Sequence, residues 1–333
     1  LWTHATAAGV RCHPLHIRNA VDIAAGVRLR AILRRNRFDI VHFHTSRAHA
    51  MAPFARGFSS ALVVTRRMDY RPNRIFAPYL FNRAVDSVIA ISGGVADSLA
   101  LAGVDAGRVA VVPSGVDCEH FRPPDAGERA TARSALGIDE NAIVISALGA
   151  LEPRKGHRHL VDAIAAMVNS GSKSSATLRC MIAGHGSLRA ELERQAAQLG
   201  CARNVTLLGR IEDARGLLWA SDIFAMPSLN EGLGVAALEA MACGLPAVLT
   251  RVGGLRETVK DTVTGFVVAP ASPADLASAL ANLAAAPELR ARTGAAARAL
   301  VEEKFSMAAM AAGTLALYRA SLNKARGEQG GTE

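Results

Sequence analysis

Two glutamates, Glu231 and Glu239, stand in the stretch NEGLGVAALEAMACGLPAVLTRVGG (230–254). Gly232 and Gly234 follow the first, and the second interrupts a run of Ala, Leu and Met. The run DIFAM (222–226) reads as a strand, Pro227 and Ser228 as a turn, and a helix is expected from the glycines onward. The first amides of a helix have no internal partner and carry partial positive charge. They suit a phosphate or a sugar oxygen, and Glu231 would stand beside it. Glu239, further along the helix, could accept two hydrogen bonds from the vicinal hydroxyls of a ribose. Taken alone, the pair also fits a helix-terminal charge and a solvated face.

Three further stretches carry similar chemistry. LGALEPRKGHRHL (148–160) places Arg154 and Lys155 before Gly156 at another helix start. Two cations beside helix amides would hold a pyrophosphate, the arginine bidentately and the lysine as a point charge; a solvated basic turn is the plain alternative. AGHGSLRAEL (183–192) offers Gly184 and Gly186, where the backbone could approach a ligand, although a lone G-x-G is a weak signal. TRVGGLRETV (250–259) sets Gly253 and Gly254 at a further helix start.

The elements that must position these residues are legible as short β-branched runs alternating with amphipathic stretches. Strands are expected at 38–43, 61–65, 86–91 and 108–112, then at 142–148, 177–183, 204–208, 222–226, 246–250 and 265–268. Helical patterns include VDIAAGVRLRAILRRN and GSLRAELERQAAQLG. Such alternation implies parallel sheets covered on both faces. PSGVDCEHFRPPDAGE (113–128) has no periodicity and reads as a linker. The fold class is therefore α/β, with two Rossmann-like doubly wound domains facing across a cleft: an N-terminal domain over 1–122 and a second over 123–304. A C-terminal helix and tail over 305–333 is expected to pack back toward the first domain. Ligands in such sheets bind outside the carboxyl ends of the strands. The opening LWTHATAAGVRCHPLHIRN reads as the middle of an α/β unit, so an upstream strand and loop are expected.

Composition narrows the function classes. Half of the 333 residues are hydrophobic, with 29 glycines, which is globular. No apolar run reaches the roughly 18 residues of a membrane span, and no signal peptide is visible. The five cysteines are scattered and never C-x-x-C, so reduced thiols in a cytoplasmic protein are expected. The formal charge of +9 favours anionic partners such as phosphates, nucleotides or an anionic membrane met peripherally. No basic helix is interleaved with aromatics and no zinc-finger spacing occurs, so nucleic acid is not expected.

Glu231-x7-Glu239, the preceding SDIFAMPS, the following EAMACGLPAVLTRVGGLRETVKDTVTGFVV and the upstream EPRKG together resemble the retaining GT-B glycosyltransferases of family 4. The likeness covers most of 142–320. DIVHFHTSRAHAMAPFAR (39–56) and DSVIAISGGVADSLALAGVDAGRVAVVPSGVDCEHFRP (86–123) resemble the family's first domain more loosely. The resemblance implies transfer of a sugar from a nucleoside-diphosphate sugar to a saccharide or lipid-linked acceptor, as in envelope polysaccharide, lipopolysaccharide or glycolipid synthesis. It implies that Glu239 binds the ribose, and that Glu231 with Gly232, Leu233, Gly234 and Val235 holds the donor sugar. Lys155 with Arg154 would neutralise the leaving diphosphate, His44 would contact the transferred sugar, and Ser92 and Gly93 would face the cleft. No metal and no cofactor is then required, the nucleotide sugar being substrate.

The sequence departs from the family in two places. Ala150 occupies a position where arginine usually anchors a second phosphate, and the glycine-rich first loop is not in this chain. A nucleotide-sugar-binding protein with impaired catalysis, or a GT-B epimerase, are the alternatives. His42 and His44 share one face of an alternating strand; without a third ligand nearby they are read as a packed histidine and a site histidine, not a metal pair. TRRMDYRPNR (65–74) could recognise an anionic acceptor, or be a solvated loop.

Overall fold

A computed structural model of the chain describes residues 2–68, 72–170 and 177–327. Four parallel strands, β1 (Phe38–Phe43), β2 (Ser59–Arg66), β3 (Ser87–Ala90) and β4 (Val109–Val111), form one sheet in the order β1-β2-β3-β4. Six more form a second parallel sheet: β5 (Ile143–Leu148), β6 (Leu178–Ala183), β7 (Val205–Gly209), β8 (Ile223–Met226), β9 (Ala247–Thr250) and β10 (Gly265–Val268). All ten lie on runs expected from the β-branched pattern. The central strands β8 and β9 are buried at every residue, as parallel strands covered on both faces must be.

The second sheet runs β10-β9-β8-β5-β6-β7. The chain winds outward from β5 to β7, then returns to lay β8 on the other side of β5, with Ile145 opposite Ile223. Both faces are thereby covered, and the carboxyl ends of β5 and β8 form a topological switch point, the place where such sheets bind ligands. At the opposite ends of these strands, Asp222 accepts from Val144 N at 2.8 Å and from Arg129 at 2.7 Å. Arg133, 7% exposed, donates to the carbonyls of Ala220, Asp139 and Ala142.

The first sheet is the smaller of the two. Its strands follow in sequence order without reversal, and successive right-handed crossovers lay their connecting helices on one face. That face buries Leu62, Val64, Val88 and Ala90 against residues such as Leu33, Phe81 and Leu99. The alternate residues, Val63 and Ile89, point the other way and meet Met310, Leu317 and Tyr318. These belong to the last helix, Met307–Arg326, which follows the second domain in sequence yet covers the first sheet. Its entry is fixed where Val116 and Ser306 bridge, with Val116 N donating to Phe305 O and Met307 N to Val116 O. A Cβ on Gly115 would fall 2.7 Å from Met307 Cα, so only glycine fits this crossing. Among the described residues no helix is long and apolar enough to cross a membrane.

Candidate active site

A helix made almost wholly of small apolar residues, Val235–Ala242, buries Ala237, Leu238, Ala240, Met241 and Ala242. Glu239 is its one carboxylate, and it lines a cavity of about 860 Å³ at the carboxyl ends of β5 and β6. Gly149, Ala150, Lys155, Gly184 and Arg210 share the wall. Burial pushes the Glu239 carboxyl up to about 7. A carboxylate is thus held at an energetic cost where it meets the cavity and none of the cations that would settle it.

Lys155 ends the single 3-10 turn Pro153–Lys155, after which left-handed Gly156 opens the helix His157–Asn169. A Cβ on Gly156 would sit 2.0 Å from Pro227 O, so the β5 turn and the β8 turn pack backbone to backbone. This packing carries Lys155 to Glu231, and the two form an ion pair with side chains 13% and 15% exposed. Arg154 points elsewhere. Its guanidinium pairs with Glu152 at 2.9 Å, both side chains being 47% exposed, and it does not line the cavity. The expected two-cation clasp is therefore corrected to Lys155. Arg154 acts through its carbonyl, which accepts from the amides of Leu229 and Asn230 and so holds the loop that carries Glu231.

The glycines of this region also find protein where a ligand was expected. A Cβ on Gly184 would lie 1.8 Å from Gly149 O, and one on Gly186 2.4 Å from Leu151 O. Gly184 still lines the cavity, whereas Gly186 serves the packing of the two turns. His157 lies buried beneath Gly149, and burial lowers it to about 4, so it stays neutral. Arg210, Asp213, His120 and Phe121 line the cavity as well. Sequence reading passed over them, although GRIED directly follows the strand β7 and so had to lie at its carboxyl end. Among the described residues no group of three or more His, Cys, Asp or Glu could hold a metal ion.

Residues 128–300 match the sequence family described as glycosyl transferases group 1, and residues 4–120 match glycosyltransferase family 4. The chain belongs to the group 1 glycosyl transferases. Among its relatives, D-inositol 3-phosphate glycosyltransferase 2 of Catenulispora acidiphila is 36% identical over 253 residues, 73% of this chain and 58% of that protein. The D-inositol 3-phosphate glycosyltransferase of Geodermatophilus obscurus is 36% identical over 265 residues, 77% of this chain and 57% of its own length. The chain thus spans somewhat over half of these curated relatives. A glycosyltransferase from Rickettsia africae has the same fold, with a TM-score of 0.84 at 21% identity over 96% of this chain and 87% of that one. Anabaena HepE, solved in complex with UDP, superposes with a TM-score of 0.83 at 22% identity over 95% and 88%. The fold is GT-B.

In this group 1 glycosyl transferase the seam between the domains claims residues that the family resemblance assigned to substrate. Ser92 is fully buried; its Oγ donates to Gly232 O at 2.6 Å and accepts from Val95 N. The amides of Gly93 and Gly94, at the start of the helix Gly93–Ala100, donate to the two oxygens of Glu257, each at 2.8 Å. Gly254 backs onto Ser92, where a Cβ would lie 2.3 Å from Oγ, and Gly253 backs onto Gly94. Ser92, Gly93, Gly253 and Gly254 thus latch the two domains together, and Glu257, unassigned from sequence, is the anion on that helix start. Gly232, Leu233, Gly234 and Val235 do not line the Glu239 cavity. Leu233 is buried, Gly234 takes φ +84°, and Val235 is 39% exposed.

His44 is likewise not brought into the cavity of Lys155 and Glu239. It lines a separate one of about 330 Å³, with Thr65, Arg67 and Ser114 from the first domain and Tyr318 from the last helix. His42 stacks on it with ring centroids 4.0 Å apart. Its ring nitrogens bond Tyr318 Oη at 2.6 Å and Thr65 Oγ1 at 2.7 Å, and burial, with His44 and Arg67 nearby, lowers it to about 4. Burial and Arg67 lower His44 as well. In the arginine-rich loop, Asp69, Tyr70 and Arg71 lie outside the described residues; Arg66 is buried and Arg74 exposed.

Proposed function

We propose that the chain is a retaining glycosyltransferase, moving a monosaccharide from a nucleoside-diphosphate sugar to an acceptor hydroxyl. The observation that carries this reading is a single cavity, at the carboxyl ends of β5 and β6, lined by both Lys155 and Glu239. At about 860 Å³ it is within the size of ligand pockets. Glu239 accepts from the ribose hydroxyls. The barrier lies in breaking the anomeric C–O bond, which places negative charge on the departing diphosphate, and a preorganised cation stabilises that charge. Lys155 exchanges Glu231 for the diphosphate, freeing the carboxylate to meet the sugar. No metal enters this scheme. With retention, the acceptor attacks from the face the diphosphate leaves and passes its proton to a diphosphate oxygen. UDP is the first base to try, because HepE was solved with it. The relatives' names direct attention to a phosphorylated cyclitol as acceptor. A net charge of +9 suits work beside anionic glycolipids or a peripheral place on an anionic membrane, as in envelope synthesis.

A melting-temperature screen of UDP-, GDP- and ADP-sugars tests the donor site, followed by nucleotide release with acceptor. A donor that stabilises wild type but not Glu239→Ala supports the reading; no response to any nucleotide sinks it. A second reading, donor binding without turnover, is favoured by Ala150 in the cavity wall and by Arg154 turned to solvent. It predicts the melting shift with no nucleotide released.

A further inference from the structure

The cavity of Lys155 and Glu239 has one wall that belongs to neither sheet. His120 and Phe121, from the segment between the domains, line it together with Ala236 and Glu239 of the helix Val235–Ala242. These two stretches are far apart in the chain, and what joins them stands behind the cavity. The helix Pro287–Lys304 carries Gly294, Arg298 and Glu302 at steps of four, hence on one face. Gly294 has no room for a side chain: a Cβ there would fall 2.0 Å from Gly244 O, in the turn that follows the Glu239 helix. That close contact brings the next residue of the stripe, half-buried Arg298, between the helix end and the interdomain segment. One guanidinium nitrogen donates to Ala242 O and to Phe121 O, each at 2.6 Å, and the other to Cys118 O at 2.9 Å. Glu302 accepts from Nε at 2.6 Å and aims the fork.

Each of these bonds bears on the cavity. Ala242 closes the last turn of its helix three residues after Glu239, and a cation is favourable at that end of a helix. Phe121 is itself a wall residue, and His120 sits in sequence between the two held carbonyls of Cys118 and Phe121. The segment is a set turn: Asp117 Oδ1 accepts from the amides of Glu119 and His120, each at 3.0 Å, and Trp219 Nε1 donates to Arg122 O at 2.9 Å. A planar fork reaches carbonyls on two different elements at once. A lysine ammonium, one atom at the end of its stem, does not span all three.

We propose that Arg298 is a positioning residue for the donor. It clamps the interdomain segment to the Glu239 helix and so fixes the spacing of two walls between which the nucleotide binds. Calling that ligand a nucleotide rests on the transferase reading above; the clamp rests on the bonds themselves. Donor binding and the set of the interdomain segment are then linked, so that what tightens one tightens the other.

Arg298→Gln and Arg298→Lys, made in the full chain, test it against UDP, GDP and ADP. For the nucleotide that wild type binds best, calorimetry should show roughly tenfold weaker binding in Arg298→Gln and a smaller loss in Arg298→Lys. The donor KM should rise by a similar factor, with the smaller change in kcat. Hydrogen exchange gives a readout that lost stability alone does not move. In wild type the nucleotide slows exchange at His120 and Phe121 as well as at Gly184 and His185; in the variants the first slowing is lost and the second stays. Should Arg298→Gln fail to fold, Arg298→Lys and Glu302→Gln, which loosens the fork without removing it, carry the same comparison. Wild-type nucleotide affinity in every variant, or a fall in kcat at unchanged donor KM, overturns the inference. A melting temperature lowered equally with and without nucleotide does so too, because it marks an arginine that serves stability only. A wild-type chain that binds none of the three nucleotides sinks the donor reading and this inference with it. Wild-type binding that all variants retain sinks this inference alone.

Discussion

The two ends of β5 and β8 are built to opposite electrostatic plans. At the amino ends, Asp222 is met by Arg129, Arg133 and a backbone amide, and Arg133 reaches four carbonyls. At the carboxyl ends, Glu239 is half-buried in the wall of a cavity, on a helix that is otherwise apolar, and Lys155 is balanced by one carboxylate on a loop. The same two strands thus carry a charge cluster that serves the fold and one that the fold leaves unfinished. Stability and ligand binding should accordingly separate by end.

The largest expected effect tests the amino end. Arg133→Ala leaves several buried carbonyls without their donor, while Asp222 keeps Arg129, and should cost roughly 3–5 kcal/mol of stability in urea unfolding. A loss no greater than that of an exposed arginine would break the comparison. At the other end, Lys155→Ala should lower turnover by about a hundredfold while costing less stability than Arg133→Ala. Equal turnover on a full-length protein would remove the proposed mechanism.

Glu239 sharpens the contrast through pH. The unfolded carboxyl gives up its proton at 4.5, while the folded one keeps it to about 7. The folded state binds the extra proton across that window, so this group's contribution to stability falls as pH rises through it and then levels off. Glu239→Gln should flatten that decline and raise the melting temperature above pH 7. It should also weaken donor binding roughly tenfold, because the amide has one acceptor where the carboxylate has two. Wild-type donor affinity should climb over the same interval, since ribose hydroxyls favour the ionised form. A variant less stable than wild type at pH 8 would show that Glu239 is settled by the protein after all. The smallest effect belongs to the seam. Glu257→Gln keeps one good acceptor for two amides and should lower stability by about 1 kcal/mol, with faster proteolysis at the Gly253–Gly254 loop. No change in cleavage would mean that the latch does not hold the domains.

How far the sequence reached follows from what is local. Each strand showed because β-branched residues run between glycines and prolines, and the cavity end of the second sheet followed from the alternation. The strand order within each sheet did not show, because it depends on which strands pair. Glycine was the most misleading residue. Gly184, Gly232 and Gly254 do mark close approach, but an absent side chain does not say whether backbone or ligand arrives. Ser92 and Gly93 sat where a helix start should take an anion, and the anion turned out to be Glu257, from 164 residues away for Gly93. Arg154 and Lys155 are neighbours in sequence, yet one turn of 3-10 helix sends one to solvent and the other inward. Only the local part of each pattern was readable.

The crossing of the final helix bears on synthesis. A ribosome delivers chains from the amino terminus, and domains generally fold as they emerge. Here the first sheet leaves the exit tunnel with Val63 and Ile89 bare, and their cover is made only after the whole second domain. The first domain must wait, one-sided and adhesive, until the ribosome has passed Tyr318. Any nonsense codon before Met307 therefore harms the oldest part of the protein most.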